Sequence, residues 1–225
     1  MNFHLIDMEH WSRKPYFEHY LNQVRCTYSM TANIDITHLL AKSKSRGIKL
    51  YPVLIYMIVT VVNRHVEFRT CLDAEGRPGY WDSMSPSYTL FHNENKTFSS
   101  IWTGYREDFD EFYNGWLEDQ DKYGSVMKLM AKANEPPNTF NISCIPWVHF
   151  TGFNLNIDNG SAYLLPIFTM GKYDEQDGAI RLPLSVQVHH AVCDGYHTGL
   201  LFHELQQLAD SCEQWLPADR TRVEP

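Results

Sequence analysis

The chain has 225 residues, 44% hydrophobic and 14% aromatic, which excludes intrinsic disorder and collagen-like repetition. Nineteen Lys and Arg against 27 Asp and Glu leave a net charge of −8 with no dense basic block, so no nucleic-acid footprint and no membrane-surface role is expected. A chain of this size buries roughly 70% of its unfolded surface, enough for one sizeable core, and residues 1–225 are expected to form a single domain.

Pro15, after Ser12, marks a helix start with Phe17, Tyr20 and Leu21 on one face. The segment before it, MNFHLIDMEHW, has no basic region followed by an apolar one, so it does not read as a signal peptide. Leu50 to Val62 is the longest uncharged apolar stretch, and it is well short of the roughly 20 residues that span a bilayer. Pro52 instead opens an apolar helix through Leu54, Met57, Ile58 and Val61 towards Asn63. Cys26, Cys71, Cys144, Cys193 and Cys212 are scattered and odd in number, which fits a reducing cytoplasm better than a disulfide framework.

Met84–His92 and Thr97–Thr103 read as strands joined by the polar turn Asn93–Lys96. Phe109, Phe112, Tyr113, Trp116 and Leu117 then recur at helical spacing among Glu107, Asp108, Asp110, Glu111, Glu118 and Asp119. An amphipathic helix with a solvated acidic face accounts for this better than an acidic metal or docking patch. Asn134–Asn138, with two prolines, is a loop. Ile145–Ile157 and Ala162–Met170 are expected to be two strands around Asp158-Asn159-Gly160, a hairpin signal. Leu182, Leu184, Val186 and Val188 alternate with Pro183, Ser185 and Gln187 as a further strand. A closing helix carries the apolar stripe Leu200, Leu201, Leu205, Leu208, Cys212 and Trp215. Strands and helices alternate unevenly, which predicts an α/β fold with a mixed sheet covered by helices.

Most motifs that announce a chemistry are missing: no G-x-S-x-G, no phosphate-binding loop, no G-x-G-x-x-G. His203-Glu204 begins a zinc-binding H-E-x-x-H, but Gln207 replaces the second histidine. N-x-[ST] matches at Asn95, Asn141 and Asn159 carry no weight in a chain not read as secreted. The dense cluster is QVHHAVCDGYH, Gln187 to His197. A strand end with merely hydrogen-bonded histidines is one reading of it. A metal site of His189, His190, Cys193 and His197 fits poorly, because adjacent strand residues face opposite ways and the spacing matches no usual zinc pattern. Cys193 lacks an evident neighbour to lower its pKa and serve it as a nucleophile. The remaining reading is general-base catalysis by His190, with Asp194 and Gly195 at the turn into the closing helix.

HHAVCDG fits the His-His-x-x-x-Asp-Gly signature of CoA-dependent acyltransferases, and QVHHAVCDGYH as a whole resembles the chloramphenicol acetyltransferase family. WSRKPYFEHY, KLYPVLIYMIV, FNISCIPWVHF, GFNLN and PIFTMGKY resemble it too, in the family's order, so the likeness covers nearly the whole chain. The resemblance implies a two-layer sandwich of the CoA-dependent acyltransferase fold. It also implies an antibiotic-inactivating enzyme that moves the acetyl group of acetyl-CoA to the primary hydroxyl of chloramphenicol, without a metal. By resemblance His190 is the general base, its tautomer held by its own backbone carbonyl. Ser143 stabilises the oxyanion, Asp194 pairs with Arg13, and Thr169 assists through water. Tyr20, Cys26, Leu155 and Ile167 align with the antibiotic pocket, and Lys49, Tyr51, Trp147, Lys172 and Tyr173 with the path of CoA. The family implies a cytoplasmic homotrimer with active sites between subunits. Alternatives are a CoA-dependent O-acyltransferase of the same fold with another acceptor, such as a lipoamide acyltransferase core, or a non-catalytic binding relative. Two positions depart from the pattern: Tyr196, whose hydroxyl calls for a partner, and His149, near Ser143 in sequence.

Overall fold

A computed structural model describes residues 1–155, 157 and 162–218. The elements in chain order are β1 (Phe3–Leu5), α1 (Lys14–Glu18), β2 (Thr27–Asp35), α2 (Thr37–Ser45), α3 (Leu50–Arg64), β3 (Thr70–Leu72), β4 (Pro78–Trp81), β5 (Ser85–His92), β6 (Thr97–Trp102), α4 (Phe109–Tyr123), β7 (Thr139–Ile145), β8 (Ile167–Gly171), β9 (Asp174–Gln176), β10 (Ala179–His189) and α5 (Gly195–Asp210). The main sheet runs β2-β10-β8-β7-β5-β6, with β9 also on β10, and β1-β4-β3 form a small second sheet. The mixed sheet and its helices match the α/β architecture expected from the sequence.

Apolar periodicity explains the helices. α3 buries ten of its residues, including Val53, Ile55, Val59 and Val62, because apolar side chains surround it on nearly every side. α4 buries Phe109, Phe112, Tyr113 and Trp116 and leaves its acidic face outward. Asp108 starts it, accepting a hydrogen bond from the Glu111 N–H at 2.9 Å. Leu182, Leu184, Val186 and Val188 on β10 join these helices in one continuous core. The intervening Ser185 faces the other way and donates to the Phe153 carbonyl at 2.7 Å, so the chain after β7 crosses the second face of the sheet there.

One expected element does not form. β7 and β8 pair in parallel, from Asn141 opposite Ile167 to Ile145 opposite Gly171, so they are not the arms of a hairpin. β7 stops at Ile145 because Pro146 has no N–H to extend the ladder, and β8 begins only at Ile167. Parallel neighbours need a crossover, and residues 146–166 supply it without a described helix or strand. Asn156 and Asp158-Asn159-Gly160, with its hairpin signal, lie outside the described residues. The polar turn after His92 does close the antiparallel hairpin β5–β6, with Lys96 at φ 58.

Candidate active site

The site is built around the end of β10. His190 directly follows that strand, and its backbone N–H donates to the Cys26 carbonyl at 2.8 Å, tying it to the segment ahead of β2. Its imidazole lies flat on Tyr20, with ring centres 4.0 Å apart and planes 2° from parallel. Tyr28 meets the same ring edge-on at 5.3 Å. Tyr20 occupies a π-helical turn, His19–Gln23, that continues α1 and brings the phenol ring over the histidine.

Arg13 holds the backbone around this ring. Its Nε donates to the Ala191 carbonyl at 2.9 Å and its Nη2 to the His190 carbonyl at 2.9 Å. Nη1 and Nη2 also reach Asp194 Oδ2 and Oδ1 at 2.6 and 2.7 Å, a bidentate pair. The guanidinium hydrogen bond holds the Asp194 carboxyl below the ordinary carboxylate range, against the opposing effect of burial. Burial alone would lower Arg13, but Asp194 outweighs it and raises the guanidinium.

His190 Nδ1 is buried and makes no hydrogen bond within the chain. It stands 3.2 Å from Asp194 Oδ1, an electrostatic contact. The expected bond to its own carbonyl does not form, and that carbonyl accepts from Arg13 instead. A carboxylate beside Nδ1 favours the proton there and leaves Nε2 as the basic nitrogen. Asp194 therefore combines the ion pair with the N-cap position of α5.

The neighbouring histidines do other work. His189 Nδ1 accepts from the Ala191 N–H at 3.1 Å, and burial lowers its pKa, with His190 adding to the effect. His197 Nδ1 accepts from the Asp194 N–H at 2.9 Å. Cys193 is fully buried, and burial pushes its thiol up, away from nucleophilic use. Among the described residues no group of three or more His, Cys, Asp and Glu is arranged to hold a metal.

A second cluster lies further along the sheet. Ser143 on β7 and Thr169 on β8 are register partners with hydroxyl oxygens 3.0 Å apart. They sit beside a largely apolar pocket of about 740 Å³ that Ser143, Tyr51, Phe91, Trp147, Leu155 and Ile167 help to line. The Tyr51 hydroxyl donates to the Thr89 carbonyl at 2.9 Å, and Trp147 meets Phe91 edge-on at 4.7 Å.

The expected site residues thus divide into two groups. Arg13, Tyr20, Cys26, His190 and Asp194 come together at one end, while Ser143, Thr169, Leu155, Ile167, Tyr51 and Trp147 gather at the other. Ser185 pairs with Thr169, and Thr169 with Ser143. His190 is five residues past Ser185, about 17 Å along the strand at roughly 3.3 Å per residue. One chain does not bring the two groups into contact. Lys49 stands outside both, its Nζ 5.4 Å from the Trp116 ring. Lys172 and Tyr173 are exposed just after β8.

The two departures resolve simply. Tyr196 is 75% exposed, so water satisfies its hydroxyl and no protein partner is required. His149 turns to β9, with Nδ1 3.0 Å from Asp174 Oδ1 and 3.2 Å from the Lys172 carbonyl, and it touches neither hydroxyl of the Ser143–Thr169 pair. Sequence reasoning missed Tyr28, although Tyr28, Met30, Ala32 and Ile34 alternate with polar residues along β2 as a strand should.

Comparison with known proteins shows the family. The family model described as chloramphenicol acetyltransferase matches residues 1–206. A chloramphenicol acetyltransferase of Clostridium perfringens is 65% identical over 216 residues, covering 96% of this chain and 99% of the relative. One of Staphylococcus aureus is 50% identical over 216 residues, covering 96% and 100%. A solved chloramphenicol acetyltransferase superposes with a TM-score of 0.80 at 22% identity, over 92% of this chain and 100% of the other. A dihydrolipoamide acetyltransferase of Azotobacter vinelandii shares the fold at TM-score 0.65 and 18% identity, over 85% and 84%. The HHAVCDG segment at the end of β10 and nearly the whole chain around it have full-length counterparts, and the chain belongs to the chloramphenicol acetyltransferase family.

Proposed function

We propose that this protein transfers the acetyl group of acetyl-CoA to the primary hydroxyl of chloramphenicol in one step, with His190 as the general base. His190 Nε2 takes the hydroxyl proton as the oxygen attacks the thioester carbonyl. The tetrahedral oxyanion accepts from the Ser143 Oγ–H, which Thr169 Oγ1 helps to orient. Collapse expels the CoA thiolate, which takes the proton back from the imidazolium. An alcohol is a poor nucleophile at neutral pH until a base removes its proton, so the base is indispensable. The observation that carries this reading is the seat of His190: ring on Tyr20, Nδ1 beside an arginine-held carboxylate.

The separation of His190 from Ser143 supports an active site completed by a second copy of the chain, in a homotrimer. Tyr20 and Cys26 would then line the antibiotic pocket from the histidine side, and Leu155, Ile167 and Thr169 from the serine side. Tyr51 and Trp147 open the apolar pocket towards CoA, with Lys49, Lys172 and Tyr173 outside it. A chain with net charge −8 needs such local lysines to receive a polyanionic co-substrate. One continuous core supports a single functional domain, and five unbridged cysteines support a cytoplasmic location.

The test is release of free CoA thiol from acetyl-CoA, with and without chloramphenicol, for the wild type, His190→Ala and Ser143→Ala. Release is expected only with chloramphenicol. His190→Ala should abolish it, and Ser143→Ala should lower kcat by about 10²–10³. Turnover unchanged in His190→Ala would refute the mechanism. Release with a different alcohol, and none with chloramphenicol, would retain the fold's chemistry and change the acceptor.

A further inference from the structure

The third histidine of QVHHAVCDGYH is placed to control the first turn of α5. Its Nδ1 accepts from the Asp194 N–H at 2.9 Å, so Nδ1 carries no proton and the neutral ring is protonated on Nε2. Nε2 faces Glu67 Oε1 at 3.7 Å, beyond a hydrogen bond, so the carboxylate acts on the Nε2–H as a charge on a dipole. Glu67 belongs to the 3-10 turn Val66–Arg69 that follows α3, so this contact links α5 to a separate part of the fold.

Asp194 is thereby held twice. Arg13 fixes its carboxylate at 2.6 and 2.7 Å, and His197 fixes its backbone nitrogen. The same carboxylate stands 3.2 Å from His190 Nδ1. If the N–H of Asp194 lost its acceptor, the turn could rotate and carry Oδ1 away from the histidine. A carboxylate on one imidazole nitrogen decides which other atom the opposite nitrogen engages, as in metal sites where an outer carboxylate fixes the tautomer and angle of a ligating histidine.

We propose that His197, oriented by Glu67, is a positioning residue for His190, acting through Asp194 on the angle of the catalytic ring. The proposal rests on His190 being the base. His197 touches neither substrate nor the reacting atoms, so its removal should lower kcat and leave KM nearly unchanged. Glu67 and His197 both line an open groove of about 670 Å³, so truncating either leaves no sealed void.

The experiment compares His197→Ala, His197→Asn, His197→Gln, Glu67→Ala and the double variant His197→Ala/Glu67→Ala by thiol release and thermal melting. Asparagine places its Oδ1 where Nδ1 lies and can still accept from the Asp194 N–H, whereas glutamine places its oxygen nearer the Nε2 position. Misplacement of a catalytic group by about 1 Å can cost on the order of 10²-fold, so kcat in His197→Ala should fall roughly 10–100-fold with KM for chloramphenicol within about twofold. His197→Asn should recover most of that loss and His197→Gln little of it. If Glu67 acts only through His197, the double variant should be no slower than His197→Ala.

Equal activity of the Asn and Gln variants would overturn the proposal, as would a loss in His197→Ala that follows its melting temperature, or fully additive effects in the double variant. If His197→Ala does not fold, the Asn–Gln comparison still decides. Wild-type turnover that survives His190→Ala would instead defeat the reading of His190 as base, an outcome the variants at 197 do not imitate.

Discussion

At the scale of single residues, each polar atom near His190 has a specific task, and substitutions that keep the charge do not keep the task. Arg13 uses Nε, Nη1 and Nη2 on four acceptors between residues 190 and 194. A lysine there would supply a point charge without the fork. The Asp194 side chain is 38% exposed, so much of the pair's Coulomb energy is screened and geometry is what is lost. His189 gives a pH signature of its own. Burial holds its folded pKa below the ordinary 6.5, so the unfolded chain binds a proton that the fold refuses. Its contribution to stability is intact above about pH 6.5 and declines as the pH falls from there towards the folded value. His189→Asn keeps an acceptor for the Ala191 N–H and cannot titrate. Its unfolding free energy, measured by urea titration across that range, should decline less steeply than the wild type's. Equal slopes would show that other groups dominate the acid response.

At the scale of elements, the sequence was most legible where a period persisted. α3, α4 and the β5–β6 hairpin lie where apolar spacing and turn residues place them, within a residue or two at most boundaries, whereas α5 ends at Asp210 and leaves Cys212 and Trp215 of the expected stripe to a 3-10 turn and the residue after it. The strands β1, β3 and β4 have only three or four residues each, too few for alternation to register. The parallel pairing of β7 with β8 was illegible for another reason: it is fixed by a crossover, and local turn chemistry cannot report a partner brought in from a distance. The site followed the same division. The Arg13–Asp194 pair came from motif resemblance, which named Ser143 and Thr169 but not the contact between them, and the stacking of Tyr20 on His190 depends on a π-turn with no clear sequence signature. A stability test belongs here too. A Cβ on Gly171, at the end of β8, would lie 2.7 Å from Pro183 Cγ and 2.8 Å from Phe150 Cε1. Gly171→Ala should therefore destabilise by about 1–3 kcal/mol through overpacking, lowering Tm by about 2–4 °C per kcal/mol at this chain length. An unchanged Tm would mean that Phe150 moves aside at no cost.

At the scale of the whole molecule, the division between the His190 cluster and the Ser143 cluster makes a claim about assembly that mixed oligomers can check. His190→Ala and Ser143→Ala chains, the first inactive and the second strongly impaired alone, should regain activity when unfolded and refolded together. If each site takes its histidine from one chain and its serine from the next, about a quarter of the sites in an equimolar random mixture would hold both intact. No recovery above the sum of the two parents would mean that each site draws both residues from one chain. The Arg13–Asp194 clasp has a consequence in time as well as in space. It spans 181 residues of sequence, and ribosomes add about 5–20 residues per second, so Arg13 emerges roughly 10–40 s before the carboxylate it will grip exists. Through that interval Arg13 also awaits the backbone carbonyls of His190 and Ala191. Any chain cut short before residue 194 would lack the carboxylate that Arg13 grips beside His190, and the seat of that ring would stay open.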